Sequence, residues 1–211
     1  MALPIVVLIS GTGSNLQAII DAQASGALNV DIRAVISNRP GVAGLERAER
    51  AGIPARVLDH TGFASREDFD KALMELIDGY RPSLVVLAGF MRILSDEFAD
   101  HYARRMLNIH PSLLPEFRGL NTHQRALDAG RRRHGASVHF VTSELDGGPL
   151  IVQGVVTVAD DDTAQTLAAK VQRCEHQIYP LAIGWFASGA LVVNNDHLLI
   201  DGELAPKVVL Q

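Results

Sequence analysis

Ile5-Val6-Val7-Leu8-Ile9-Ser10-Gly11-Thr12-Gly13-Ser14-Asn15 decides the fold. Its first five residues are consecutive, apolar and mostly β-branched, the pattern of a short strand buried on both faces. A glycine-rich loop follows at once, and then a helical stretch to about Ala24. The same rhythm repeats outward from there. Ala34-Val35-Ile36 reads as a second strand, residues 42–51 as a helix, and the surroundings of Val57 as a short strand. Ser65-x-x-Asp68 has the spacing of a capping box. Behind it Phe69, Leu73, Leu76 and Ile77 recur at helical spacing. Leu84-Val85-Val86-Leu87-Ala88 is another fully buried strand, followed by a helix over 95–103 and a strand over 106–109. This alternation predicts an α/β fold: a Rossmann-like, mostly parallel sheet with helices on both faces.

Beyond about residue 110 the rhythm changes. Residues 136–141 and 150–158 read as a strand pair joined by Glu144-Leu145-Asp146-Gly147-Gly148-Pro149. A long helix is expected from about Thr163 to Phe186, with Asp160-Asp161-Asp162 at its positive end, where a helix dipole favours acids. The tail reads as short strands around Asn194-Asn195 and Asp201-Gly202. No repeat, low-complexity stretch or linker interrupts the chain. A single domain over 1–211 is expected, with a first half to about 110 and a second half over about 111–211.

The chain has 211 residues, 20% charged and 47% hydrophobic, which suits a folded domain with a full core. A formal net charge of -5 argues against a phosphate backbone as partner, so no nucleic acid is expected. The basic run Arg131-Arg132-Arg133 reads as a solvated helix end. No stretch reaches the roughly 18–20 apolar residues of a membrane span, and the N-terminus lacks a signal-peptide pattern. Cys174 is the single cysteine, so no intrachain disulfide can form, and a cytoplasmic location is expected. Leu167, Val171, Cys174, Ile178 and Leu181 fall on one helical stripe, which makes this thiol a core residue rather than a nucleophile.

Ligands of open α/β sheets bind beyond the carboxyl ends of the strands. Three unusual segments fall there: residues 10–15, residues 89–94 and residues 108–110. The glycine loop precedes a helix, so its N–H groups can cradle a phosphate, or it is a tight turn only. It is no dinucleotide fingerprint, since Leu16 stands where a third glycine belongs, and it lacks a P-loop lysine. Asn108-Ile109-His110 puts an amide and an imidazole on the same side of a strand. Such a pair suits acyl transfer: the amide stabilises an oxyanion and the imidazole moves a proton. Ordinary strand-end hydrogen bonds are the alternative reading. Asp146 sits in a turn that permits close approach to a ligand, and a meeting with His110 would favour the imidazolium; a plain turn aspartate is the equal alternative. The eight histidines form no His-Glu-x-x-His pattern, so no metal is expected. No Gly-x-Ser-x-Gly elbow appears either.

Four segments carry a resemblance: residues 7–17, residues 87–94, Asn108-Ile109-His110-Pro111-Ser112-Leu113-Leu114-Pro115, and residues 144–149. On these, and along nearly its whole length, the chain resembles the glycinamide ribonucleotide formyltransferases of purine (IMP) synthesis. The resemblance implies a formyltransferase fold, with a ribonucleotide-binding half over about 1–110 and a folate-binding and closing half over about 111–211, and Asn108, His110 and Asp146 as catalytic residues. It implies Gly13, Ser14, Asn15, Gln172 and Glu175 as ribonucleotide contacts, the last two sharing a helix face off the apolar stripe. Arg66, Met91, Arg92, Ile93 and Leu94, with Asn108, are implied for the folate site. The substrates implied are 5-phosphoribosylglycinamide and 10-formyltetrahydrofolate, with no tightly bound cofactor, no membrane partner, and a monomer or homodimer. Thr12 departs from the Asn usual in the family, and Glu116-Phe117-Arg118 from a Lys/Arg-aromatic-x run. The rivals are formyltetrahydrofolate hydrolase, methionyl-tRNA formyltransferase and a non-catalytic folate- or nucleotide-binding sensor. The first two carry an extra N- or C-terminal module that this length is not expected to hold.

Overall fold

The structure is a computed structural model describing residues 1–194 and 197–210; Asn195, which the sequence reading places in a tail strand, lies outside them. The elements alternate as β1 (Leu3–Ile9), α1 (Ser14–Ala24), β2 (Val30–Ser37), α2 (Ala43–Arg50), β3 (Ala55–Val57), α3 (Arg66–Gly79), β4 (Leu84–Leu87), α4 (Asp96–His101) and β5 (Met106–His110). Then follow α5 (Thr122–Asp128), β6 (Arg133–Phe140), β7 (Leu150–Thr157), α6 (Ala164–Ser188), β8 (Leu191–Asn194), β9 (His197–Ile200), β10 (Glu203–Leu204) and β11 (Lys207–Leu210). The chain forms two compact units, Met1–Asn108 with Val141–Ser143, and Ile109–Phe140 with Glu144–Gln211.

In the first unit the strands run in the order β3-β2-β1-β4-β5, every pair parallel. Parallel neighbours need a crossover, which the intervening helices supply. β1 pairs with β2 on one side and β4 on the other, so the strand order reverses beside β1. That reversal is the topological switch point where open α/β sheets form a ligand crevice. The loops after β1 and β4 leave the sheet on either side of it, held together where Ala88 N–H donates to Leu8 O at 2.9 Å. Alternate strand residues Val6, Leu8, Ala34, Ile36, Val85 and Leu87 share a core cluster with Phe69, Leu73 and Ile77 of α3, Phe98 of α4 and Tyr102 just after it. The i, i+4, i+8 spacing on α3 matches the helical period read from the sequence. Ser65 caps α3, its Oγ accepting from Asp68 N–H at 3.0 Å and donating to the Asp68 carboxylate at 2.7 Å.

In the second unit β6 and β7 are antiparallel and β11 joins β7 in parallel, a partner the sequence reading missed. α5 was also missed. It is short, and its N-cap Asn121 is left-handed and makes no side-chain cap bond. The mostly parallel α/β expectation holds. Two details need correction. Arg131-Arg132-Arg133 leads into β6 rather than ending a helix, with Arg131 paired to Glu116 and Arg132 to Asp160. Leu181 is 40% exposed, because the buried stripe of α6 passes through Ala182 instead. At the helix start Thr163 and Thr166 make a reciprocal capping box. Lys170 and the Ala159 N–H hold Asp162 well below the usual carboxylate range, at about 2.

Cys174 packs α6 onto β7. A Cβ at Gly154 would lie 2.0 Å from its Sγ, so the helix sits on bare backbone. Burial, and then Glu175 beside it, push the thiol up to about 11. A thiol without solvent access or thiolate character is inert. An aromatic disulfide reagent should therefore leave the native protein unlabelled at neutral pH and label one equivalent in denaturant. Rapid native labelling would contradict this packing. Among the described residues no helix is long and apolar enough to cross a membrane.

Candidate active site

Gly13 sits at φ 70 as the N-cap of α1 and makes no side-chain cap bond, and the first turn of the helix holds no acid. The helix dipole leaves this end suited to an anion. The loop is pinned from α2: Gly44 N–H donates to Gly11 O at 3.1 Å, and Arg47 Nε to Thr12 O at 2.8 Å. Arg47 also reaches the Gln17 side chain at 3.1 Å. It brings a cation to the loop that no sequence motif signals. Gly13 lacks a side chain for a packing reason as well, since a Cβ there would lie 2.7 Å from Gly44 Cα. Gly13→Val should therefore cost about 1–3 kcal/mol in overpacking and more for the strained φ. A denaturant midpoint equal to that of the parent would contradict the close approach.

The loop after β4 turns at Gly89, φ 76. Met91 and Ile93 are 63% and 60% exposed, while Leu94 packs on the core and the Arg92 guanidinium lies 5.1 Å from the Phe69 ring centre. Both ends of the segment are held by buried polar side chains. Met91 N–H donates to Ser10 Oγ at 2.8 Å, and Ser95 N–H to Asp70 Oδ2 at 2.6 Å. Arg66 begins α3, exposed and paired with Glu67 at 3.1 Å.

β5 carries Asn108, half-buried, and His110, buried, with Ile109 between them on the opposite face. His110 meets the residue the sequence reading paired with it: its Nδ1 lies 3.4 Å from Asp146 Oδ2, and the two side chains are 7% and 9% exposed. Its Nε2–H donates to Phe117 O at 2.9 Å. Asp146 stands at φ 49 in the turn before β7, and its carboxylate also accepts from Gly119 N–H at 2.9 Å. His139 Nε2 is 3.9 Å from Asp146 Oδ1, while its Nδ1–H donates to Phe140 O at 2.8 Å. Burial lowers the His139 pKa, so the ring is a neutral neighbour.

This histidine group was not legible from spacing. His123 and His134 lie 3.2 Å apart, nitrogen to nitrogen, at the ends of separate elements. Burial, then His123 and His110, push His134 down to about 4. The folded value lies below the ordinary 6.5, so the unfolded chain binds more protons between the two. This contribution to stability is whole above about 6.5 and fades as pH falls toward about 4. Urea midpoints should drop across that interval, and His134→Gln should flatten the drop. An equal slope in the variant would remove His134 as the cause.

Gln172 and Glu175 do not share an exposed face. Gln172 is exposed, whereas Glu175 is only 9% exposed beside Cys174, because it follows Val171 by four residues on the buried stripe.

The fold defines the class, an α/β protein whose parallel strands open a crevice beyond their carboxyl ends, where such folds take ligands. Within that class the chain belongs to the formyl transferase family, which matches residues 3–183. The phosphoribosylglycinamide formyltransferase of Escherichia coli is 54% identical over 96% of this chain and 95% of its own. The trifunctional purine biosynthetic protein adenosine-3 of Bos taurus is 49% identical over 89% of this chain, which corresponds to 18% of that protein. The structure of the phosphoribosylglycinamide formyltransferase of Coxiella burnetii superposes with a TM-score of 0.94 at 51% identity, covering 99% of this chain and 100% of that one.

Proposed function

We propose that this chain transfers the formyl group of 10-formyltetrahydrofolate to the amine of 5-phosphoribosylglycinamide, giving formylglycinamide ribonucleotide and tetrahydrofolate in cytoplasmic purine synthesis. The observation that carries the reading is the buried His110–Asp146 pair at the end of the strand that also bears Asn108. The substrate amine attacks the formyl carbon, and the carbonyl oxygen takes negative charge. The Asn108 amide and the His110 ring stabilise that oxyanion, which takes the place the Phe117 carbonyl holds at Nε2. Asp146 orients the ring, its carboxylate 3.4 Å from Nδ1. Collapse expels folate N10, and the proton leaving the amine ends on that nitrogen. No covalent intermediate is needed.

Gly13, Ser14 and Asn15 receive the phosphate, with Arg47 adding positive charge near Thr12. Gln172 and Glu175 reach the ribonucleotide. Met91, Arg92, Ile93 and Leu94 offer backbone groups to the folate ring, and Arg66 meets its acidic tail. A turnover assay tests this with three conditions: 5-phosphoribosylglycinamide, its dephosphorylated counterpart, and no acceptor. Turnover is expected with the first, with kcat/KM at least tenfold lower for the second. Equal use of both acceptors would overturn the phosphate assignment, and donor consumption without acceptor would make the chain a hydrolase.

A further inference from the structure

We propose that Ser10 is a positioning residue that couples the two substrate loops, an inference that rests on the reaction proposed above. Ser10 follows the first strand, immediately before the glycine loop, and is 5% exposed. Its hydroxyl is committed in both directions. It accepts from Met91 N–H at 2.8 Å and donates to Asn38 Oδ1 at 2.6 Å. Met91 N–H can only donate, so the hydroxyl proton must go to Asn38. Asn38 is 1% exposed, and its backbone carbonyl accepts from His60 Nδ1–H at 2.8 Å. The hydroxyl therefore joins a buried amide to the first residue of the donor segment, next to the loop that receives the phosphate.

Ala88 N–H on Leu8 O ties the strand ends through backbone, and the Ser10 hydroxyl is the side-chain link between the loops beyond them. At the far end of the donor segment Ser95 N–H is held by Asp70, whose Oδ1 is buried without a partner. That anchor belongs to α3 and has no link to the glycine loop. Between the two anchors Met91 and Ile93 present exposed side chains. A ligand that shifts the backbone at either loop moves the Ser10 hydroxyl and so changes the other loop. Such coupling is reciprocal: each ligand alters the affinity of the other by the same factor.

Calorimetry on the full chain reads that factor without turnover, with 5-phosphoribosylglycinamide and tetrahydrofolate as the probes, each titrated with and without saturation by the other. The parent protein should show a factor of about five or more. In Ser10→Ala the factor should fall to within about twofold of one while each ligand alone still binds. Ser10→Thr, which keeps the hydroxyl, should retain it. Asp70→Asn should weaken tetrahydrofolate binding and leave the factor unchanged, separating general loosening of the segment from the link itself. If Ser10→Ala does not fold, Ser10→Cys keeps the volume with a much weaker hydrogen-bonding group and reads the same factor. An unchanged factor in the alanine or cysteine variant, or no coupling in the parent, overturns the inference. A parent that binds neither ligand instead overturns the proposed reaction.

Discussion

Asp146→Asn lowers kcat by about 10²–10⁴, the range ascribed to a positioned acid–base group, and leaves both KM values within a few-fold. The argument starts from the backbone. Asp146 holds φ 49, a conformation that Asn tolerates as well as Asp does, so the variant keeps the turn. Its amide oxygen can still accept from Gly119 N–H, which the carboxylate now receives at 2.9 Å. What disappears is the charge 3.4 Å from His110 Nδ1 in a place almost closed to water. Without it the ring loses the carboxylate that orients it toward the oxyanion. Asp146→Ala is a poorer test, because it strands a buried partner at a cost of about 3–5 kcal/mol in stability. A kcat for Asp146→Asn within threefold of the parent would remove the carboxylate from the mechanism.

Asn108→Ala is expected to lower kcat by about 10²–10³, or roughly 2.7–4 kcal/mol of transition-state stabilisation, the loss that follows removal of one oxyanion donor. The effect should fall on kcat more than on KM, since the full charge on the oxygen exists only in the transition state. Stability should change little beside that, because Asn108 is half-buried at the end of its strand while its neighbours Leu107 and Ile109 carry the packing. A variant that raises KM tenfold at constant kcat would instead make Asn108 a ground-state contact.

The first unit was legible because its strands are buried on both faces and read as unbroken apolar runs, as in residues 5–9 and 84–87. Asn108 and His110 were legible for a similar reason: strand alternation fixes which side chains point together. The meeting of His110 with Asp146 was only a conditional expectation, since a strand end and a distant turn are joined by folding rather than by spacing. The face of Glu175 was misjudged because an i, i+3 relation to Gln172 says nothing of which helix face is buried, and that face runs through Val171 and Ile178. Ser10 lies in a segment the sequence singles out, but its bond to Met91 does not show there, and Asn38 and Arg47 carry no motif. Each matters through a contact across elements, and polar residues at strand ends are too common to single out. The histidines around Asp146 escaped for the same reason.

The fate of the formyl carbon tests the central claim most directly. With the donor labelled by ¹³C in its formyl group and 5-phosphoribosylglycinamide present, NMR follows the label as the purified chain acts. The account predicts that the label appears as an amide formyl on the glycine nitrogen, one equivalent for each donor consumed, and that the donor persists when the acceptor is left out. Label released as formate at the same rate with or without the acceptor would contradict it.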